Sequence, residues 1–380
     1  MEARVNRSWL FALIVVLMAL GSGCKTAGYY RQAARGHFRI LADRQSIDET
    51  IEASVVEPDV SRKLSLILEL RKFAEKELGL KPGKHYLDYV ELDRRFVVWN
   101  VSASPEFSMD SIGWWYPFLG TLTYRGYFDE SRARAFGARQ KQDGYDVFVG
   151  GVEAYSTLGW FNDPVLSSFI GRRDDALAEL IFHELAHQKI FVRGDTDFNE
   201  AYATAVAQEG LRRWLIARGE PDAIERRRVA FERETQFVSL VITARDRLEA
   251  LYDSIDEEEM DEAAEEQARA RKSAIVEQLR ADYRTVRDGQ WGGYDGYDRW
   301  IALPINNAQL NTIDTYYRRV PAFREMLRGA HGDLEAFYRD VKRLKRMKKK
   351  ERTEELERLL REGSRSTASS IPICPAMNDK

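Results

Sequence analysis

The sequence predicts an α+β fold in which a mixed N-terminal part is followed by a long helical hairpin in the C-terminal half. Three patterns carry that expectation. SRKLSLILELRKFAEKELGL (61–80) spaces its apolar residues at the helical period, as an amphipathic helix does. DRRFVVWNVSAS (93–104) and QDGYDVFVGGVEAYST (142–157) gather β-branched and aromatic residues into short runs, which reads as strands. VAFERETQFVSLVITARDRLEALYDSI (229–255) and ARARKSAIVEQLRADYRTVR (268–287) each keep an apolar stripe, and the acidic DEEEMDEAAEE (256–266) between them supplies a solvated turn and a fresh helix start. A chain of 380 residues, 44% apolar and 31% charged, has ample material for a core. With 58 Lys+Arg against 61 Asp+Glu it has no positive excess for a polyanion, so nucleic acid is not expected as a partner.

At the N-terminus, Arg4 and Arg7 precede WLFALIVVLMAL (9–20). This run is shorter than the roughly 20 residues that span a bilayer, but it suits the core of an export signal. LGSGC (20–24) brings small residues up to Cys24 and resembles a bacterial lipoprotein cleavage box. The resemblance implies that residues 1–23 are removed and that Cys24 becomes the lipidated first residue, anchoring the protein to the membrane of the bacterial cell envelope. A plain secretory signal with a chance cysteine is the alternative. The lipoprotein resemblance further implies, from Lys25 at a place where Asp favours retention at the inner membrane, a position on the periplasmic face of the outer membrane. Cys374 is the one other cysteine, so lipidation leaves no pair for an intrachain disulfide.

Further along, GWWYPFLGTLTYRGYFD (113–129), rich in glycine and aromatics, reads as a loop or bent strands. The hairpin occupies about 222–288, and WGGYDGYDRW (291–300) closes it as a loop. INNAQLNTIDTYYRRVPAFREML (305–327) reads as a helix stopped by Pro321. RLKRMKKKERTEELERLLREGSRS (343–366) begins a charged helix and polar tail over 346–380, its basic face solvated. Residues 24–345 are expected to form one domain with the hairpin packed on it.

IFHELAHQKIF (181–191) carries the chemistry. Four residues advance a helix by about 400°, so His183 and His187 lie one above the other, spaced to ligate one ion, with Glu184 beside them. This is the HExxH geometry of a zinc site. Two histidines satisfied by hydrogen bonds in a helical core are the alternative. In GDTDFNEAYATAVAQEGLRRWL (194–215) a second helix starts, with Asp197 as the expected N-cap and Glu200 in the first turn. Glu200 is a candidate third ligand, or else it complements the helix dipole. Ala203, Thr204 and Ala207 line its face with small side chains that allow a close approach to the first helix.

HELAHQ (183–188) followed by FNEAYAT (198–204) resembles the gluzincin metallopeptidases, in which HExxH and a downstream Asn-Glu on the next helix bind zinc. YYRQAARGH (29–37), YRGYFD (124–129), AYSTLGWFNDP (154–164), FHELAHQ, FNEAYAT and NNAQL (306–310) are similar to a bacterial family of predicted lipoprotein aminopeptidases, over nearly the whole mature chain. The resemblance implies a zincin-like domain, a Zn2+ cofactor on His183, His187 and Glu200, Glu184 as general base, and a peptide substrate. Gluzincins often use a Tyr or His from a C-terminal segment to stabilise the oxyanion, which makes Tyr316 and Tyr317 the first candidates; core packing is the alternative for either.

In the membrane alanyl aminopeptidases a Gly-x-Met-Glu-Asn strand before HExxH supplies the carboxylate for the substrate ammonium. GGVEAYSTLG (150–159) is similar in position, with Val152 and Ala154 in place of Met and Asn. That implies an amine-binding role for Glu153, and a backbone approach allowed by Gly151 on a strand that a peptide can extend. A solvent-facing strand residue is the alternative for Glu153. The expected activity is that of a zinc-dependent aminopeptidase. A zinc endopeptidase is the nearer alternative, because HExxH implies hydrolysis and leaves the chain end open; a non-catalytic lipoprotein scaffold is the other.

Overall fold

A computed structural model of the chain describes residues 24–367, apart from 55, 117–119, 156, 158–160 and 256–260. Residues 1–23, read from the sequence as an export signal, Cys374 near the C-terminus, and residues 256–260 of the acidic run lie outside the described residues.

Helix α1 (Cys24–Ala42) leads through β1 (Gln45–Ser46) and the short α2 (Ile47–Glu52) into α3 (Pro58–Leu78). The last is the predicted amphipathic helix. Leu64, Ile67, Leu70, Ala74 and Leu78 recur on one face and are buried, and Gly79 ends the helix in the left-handed conformation (φ 62°). Strands β2 (Asp88–Val90) and β3 (Val98–Pro105) follow. The aromatic-rich stretch forms three short strands, β4 (Trp114–Tyr116), β5 (Gly120–Leu122) and β6 (Arg125–Tyr127). Helix α4 (Glu130–Gln142), β7 (Tyr145–Val152), β8 (Val165–Leu166) and the one-turn α5 (Ser167–Ile170) complete the mixed part.

From there the described chain is helical: α6 (Asp174–Lys189), α7 (Thr196–Arg218), α8 (Pro221–Asp253), α9 (Glu262–Gly289), α10 (Asp298–Ile301), α11 (Asn307–Tyr317), α12 (Val320–Gly329), α13 (Leu334–Arg346) and α14 (Lys349–Thr367). The architecture is α+β, with small sheets in the first half and long helices in the second. Helices α8 and α9 are the arms of the hairpin. Pro321 does not stop a helix as expected. The helix has already ended at Tyr317, and Pro321 opens α12, where its missing N–H costs nothing and its fixed φ suits the first turn.

Two three-stranded sheets have the orders β1-β2-β8 and β6-β3-β7, and β4 pairs with β5 as a hairpin. In the second sheet β3 is antiparallel to both neighbours, with Ala103 opposite Val147 and Trp99 opposite Gly151. Helix α4 packs on this sheet through Gly137, where an added Cβ would stand 3.1 Å from Val149 and 3.2 Å from Val147. A larger core joins α3, α6, α7 and the C-terminal helices. A third joins the hairpin to Met109, Ile305 and Leu310.

The NNAQL motif explains part of that docking. Asn306 donates to the Val147 carbonyl, Asn307 to the carbonyls of Pro105, Glu106 and Ser108, and Asn311 one residue beyond to that of Met109. The charged C-terminal helix is docked as well. Leu356 is buried, and so is Arg352, against the start of α7.

Candidate metal centre

Helices α6 and α7 hold the site between them, and small side chains set their separation. Ala203, Thr204 and Ala207 are buried on α7, and at Gly210 a Cβ would meet Leu78 at 2.8 Å and Phe182 at 2.9 Å. The connecting segment is fixed by Asn199, whose side chain accepts from the Val192 N–H at 2.7 Å and donates to the Val192 carbonyl at 2.8 Å. Asp195 caps α7 by accepting from the Phe198 N–H. The expected cap, Asp197, is already inside the helix, so Glu200 comes two positions further into it than read from the sequence, in the second turn and not the first. The helix starts where a buried carboxylate finds a partner: Asp195 is 2% exposed and accepts from Arg352 Nε at 2.8 Å and Nη2 at 2.6 Å.

The arrangement brings three of the predicted residues to one point. His183 Nε2 stands 3.1 Å from His187 Nε2 and 3.2 Å from Glu200 Oε2, and His187 Nε2 stands 3.5 Å from Glu200 Oε2. Ligand atoms on a tetrahedral ion with metal–nitrogen distances of 2.0–2.1 Å are about 3.3 Å apart, so the triangle fits one face of such a shell. Among the described residues this is the one group of three or more His, Cys, Asp or Glu placed to hold a metal ion. The chemistry of the set fits too, since two imidazoles and a carboxylate converging in a buried place call for a shared cation.

Electrostatics without a metal lead to the same point. Burial alone would raise the Glu200 carboxyl, but the imidazoles of His187 and His183 hold it well below the usual range. Burial pulls the His187 imidazole down, and Glu200, with help from Glu184, more than reverses that and leaves it raised. The Glu184 carboxyl is raised by burial, against the pull of His183 and His187.

The other predicted residues separate. The Tyr316 ring lies nearly parallel to that of His183, with centroids 6.4 Å apart. The charge of Glu200, then burial, pushes its phenol well above the usual range. Tyr316 keeps 38% of its surface exposed although its phenol is buried beside the candidate ligands. Tyr317 faces the other way and donates to Glu234 Oε1 at 3.1 Å.

Glu153 lies just beyond β7, and its Oε2 accepts from Arg172 Nε at 2.8 Å, with Nη2 at 2.7 Å, so it must exchange that partner before it can hold an amine. Beside Gly151 the space is filled by Phe96, whose ring a Cβ would meet at 2.4 Å. The open approach is along the edge of β7, which has a strand partner on one side. Ala103 gives its carbonyl to Ile112, on the side away from β7. Its opposite number Val147 therefore turns its carbonyl away from β3, where Asn306 takes it, and by alternation Val149 and Gly151 turn their backbone polar groups to the same edge.

Two tyrosines were missed from sequence. Tyr124, in the turn before β6, has its phenol raised by burial and then by the charges of Glu200 and Glu184. Tyr86, buried and left-handed (φ 58°), is raised by burial and then by Glu184 and Asp163. Tyr124 opens the YRGYFD motif, which could have flagged it; nothing in the sequence around Tyr86 points to the site.

The fold and the site together define an α+β protein with a His-His-Glu group that could hold a metal ion, carried on two closely packed helices. Residues 28–356 match the model of a family described as "Putative aminopeptidase", and the chain belongs to that family. No curated protein and no solved structure matches it.

Proposed function

We propose that this protein is a zinc-dependent aminopeptidase whose metal is held by His183, His187 and Glu200. The reading is carried by the convergence of their three ligand atoms at 3.1–3.5 Å. When bound, zinc lowers the pKa of a coordinated water towards about 7 and polarises the scissile carbonyl. Glu184, next to the triad and outside it, takes the proton of the attacking water and delivers it to the leaving nitrogen as the C–N bond breaks. Its burial suits it to carry that proton. Tyr316, whose ring lies nearly parallel to that of His183, donates a hydrogen bond to the developing oxyanion. The free edge of β7 pairs with the substrate backbone, and Glu153 takes the substrate ammonium in place of Arg172.

Metal analysis and kinetics test this together. His183→Ala, His187→Ala and Glu200→Ala are expected to lose one zinc per chain, while Glu184→Gln keeps the zinc and loses most turnover. Stoichiometric zinc in Glu200→Ala would remove it from the ligand set. The Glu153–Arg172 pair favours a second reading, an endopeptidase that needs no free amine. A peptide with a free N-terminus and its acetylated twin separate the two: Glu153→Ala cuts kcat/KM on the free-amine peptide alone in the first case, and equally or not at all in the second. A lipid anchor on Cys24 would hold the enzyme at the envelope, where Cys24→Ser should release it from the membrane fraction.

A further inference from the structure

One face of α8 reaches both elements that carry the proposed machinery. Arg227 pairs with Glu179, which stands one turn before His183 on α6. Two turns further along α8, Glu234 receives the Tyr317 hydroxyl at 3.1 Å. The second oxygen of Glu234, Oε2, is buried with no hydrogen-bond partner among the described residues. Arg324 of α12 lies close to these charges, its guanidinium 4.2 Å from the centre of the Phe231 ring, and donates to Gln208. Burial and the negative charge of Glu234 and Glu179 raise the Tyr317 phenol, so it remains a donor at any working pH.

Tyr316 and Tyr317 are adjacent on the last turn of α11, so their side chains leave the helix about 100° apart. Pinning one tip therefore fixes the direction of the other. Arg318 also reaches from this turn to Asp246 on α8, so the helix stays docked if the Tyr317 bond is lost. What that bond adds is the rotation of the turn about its own axis.

We propose that Tyr317 and Glu234 are positioning residues for the hydrolysis: their hydrogen bond holds the last turn of α11 so that the Tyr316 phenol stays over His183. This rests on the reading of Tyr316 as the oxyanion donor. The test is a double-variant cycle on the zinc-loaded full chain, with kcat and KM on a free-amine peptide, metal content, thermal midpoint, and calorimetric affinity for a phosphonate peptide analogue.

Tyr316→Phe should lower kcat roughly a hundredfold. Tyr317→Phe should lower kcat and analogue affinity roughly tenfold, the effect of a small misplacement, with KM, zinc and midpoint unchanged. The double variant should be no worse than Tyr316→Phe. Glu234→Gln, which keeps an acceptor oxygen, should retain most activity, and Glu234→Ala should match Tyr317→Phe. If Tyr316→Phe is impaired but Tyr317→Phe is silent, multiplies its loss in the double variant, or loses zinc or melts early, the positioning role is overturned while Tyr316 keeps its own. A silent Tyr316→Phe overturns both.

Discussion

At position 199 one side-chain amide closes the whole connection between α6 and α7 by bonding twice to Val192, which explains why an asparagine directly precedes the candidate ligand Glu200. The HExxH residues were legible because helix spacing alone aligns them. Tyr124 and Tyr86 were not, since distant turns of the fold bring them to the site. Between Tyr316 and Tyr317 the sequence had no means of choosing, because adjacent helix positions differ only in which neighbour each happens to face.

A buried histidine gives a prediction at this scale. His37 is 6% exposed and neither ring nitrogen finds a hydrogen-bond partner among the described residues, and burial pulls its imidazole down to about 4 from 6.5. The unfolded chain therefore binds the extra proton between those values. Stability that is complete above pH 6.5 falls as pH drops towards 4, by about 3 kcal/mol in all. Thermal midpoints measured from pH 7.5 to 4 should show this loss, and His37→Gln should flatten it; identical pH slopes for the two proteins would sink the assignment.

Among elements, those long enough to repeat a pattern were readable. The helix at Pro58–Leu78 and both arms of the hairpin follow their apolar stripes closely. Strands of two or three residues such as β1, β5 and β8 have no room for a period, and their existence depends on partners far away in the chain. The start of α7 was misplaced by two residues because Asp195 and Asp197 are equally good caps locally. Arg352, 157 residues away from Asp195, decides between them. Removing that guanidinium leaves a carboxylate buried at a helix start, with Arg319 Nη1 3.7 Å away as a weak substitute. Arg352→Ala should therefore cost about 3 kcal/mol in urea unfolding and weaken zinc binding, whereas a loss under about 0.5 kcal/mol would mean that water already screens the pair.

For the molecule as a whole, composition and texture were enough to read the α+β class and the order of its two halves, while the way the halves meet was hidden. Asn306, Asn307 and Asn311 hold α11 to β7 and to the end of β3 and the segment after it, joining residues 159 to 202 positions apart. The buried pair of Asp195 and Arg352 extends that joining to the end of the described chain, and it bears on when the protein becomes active. Ribosomes deliver a chain from its N-terminus, so His183, His187 and Glu200 emerge long before Arg352 does. Until the last helix arrives, the carboxylate at the start of the candidate metal helix has only the weaker contact with Arg319. A nascent or prematurely terminated chain would thus carry every proposed catalytic residue and still be held back from hydrolysis, which in the proposed peptidase would protect the machinery that makes it.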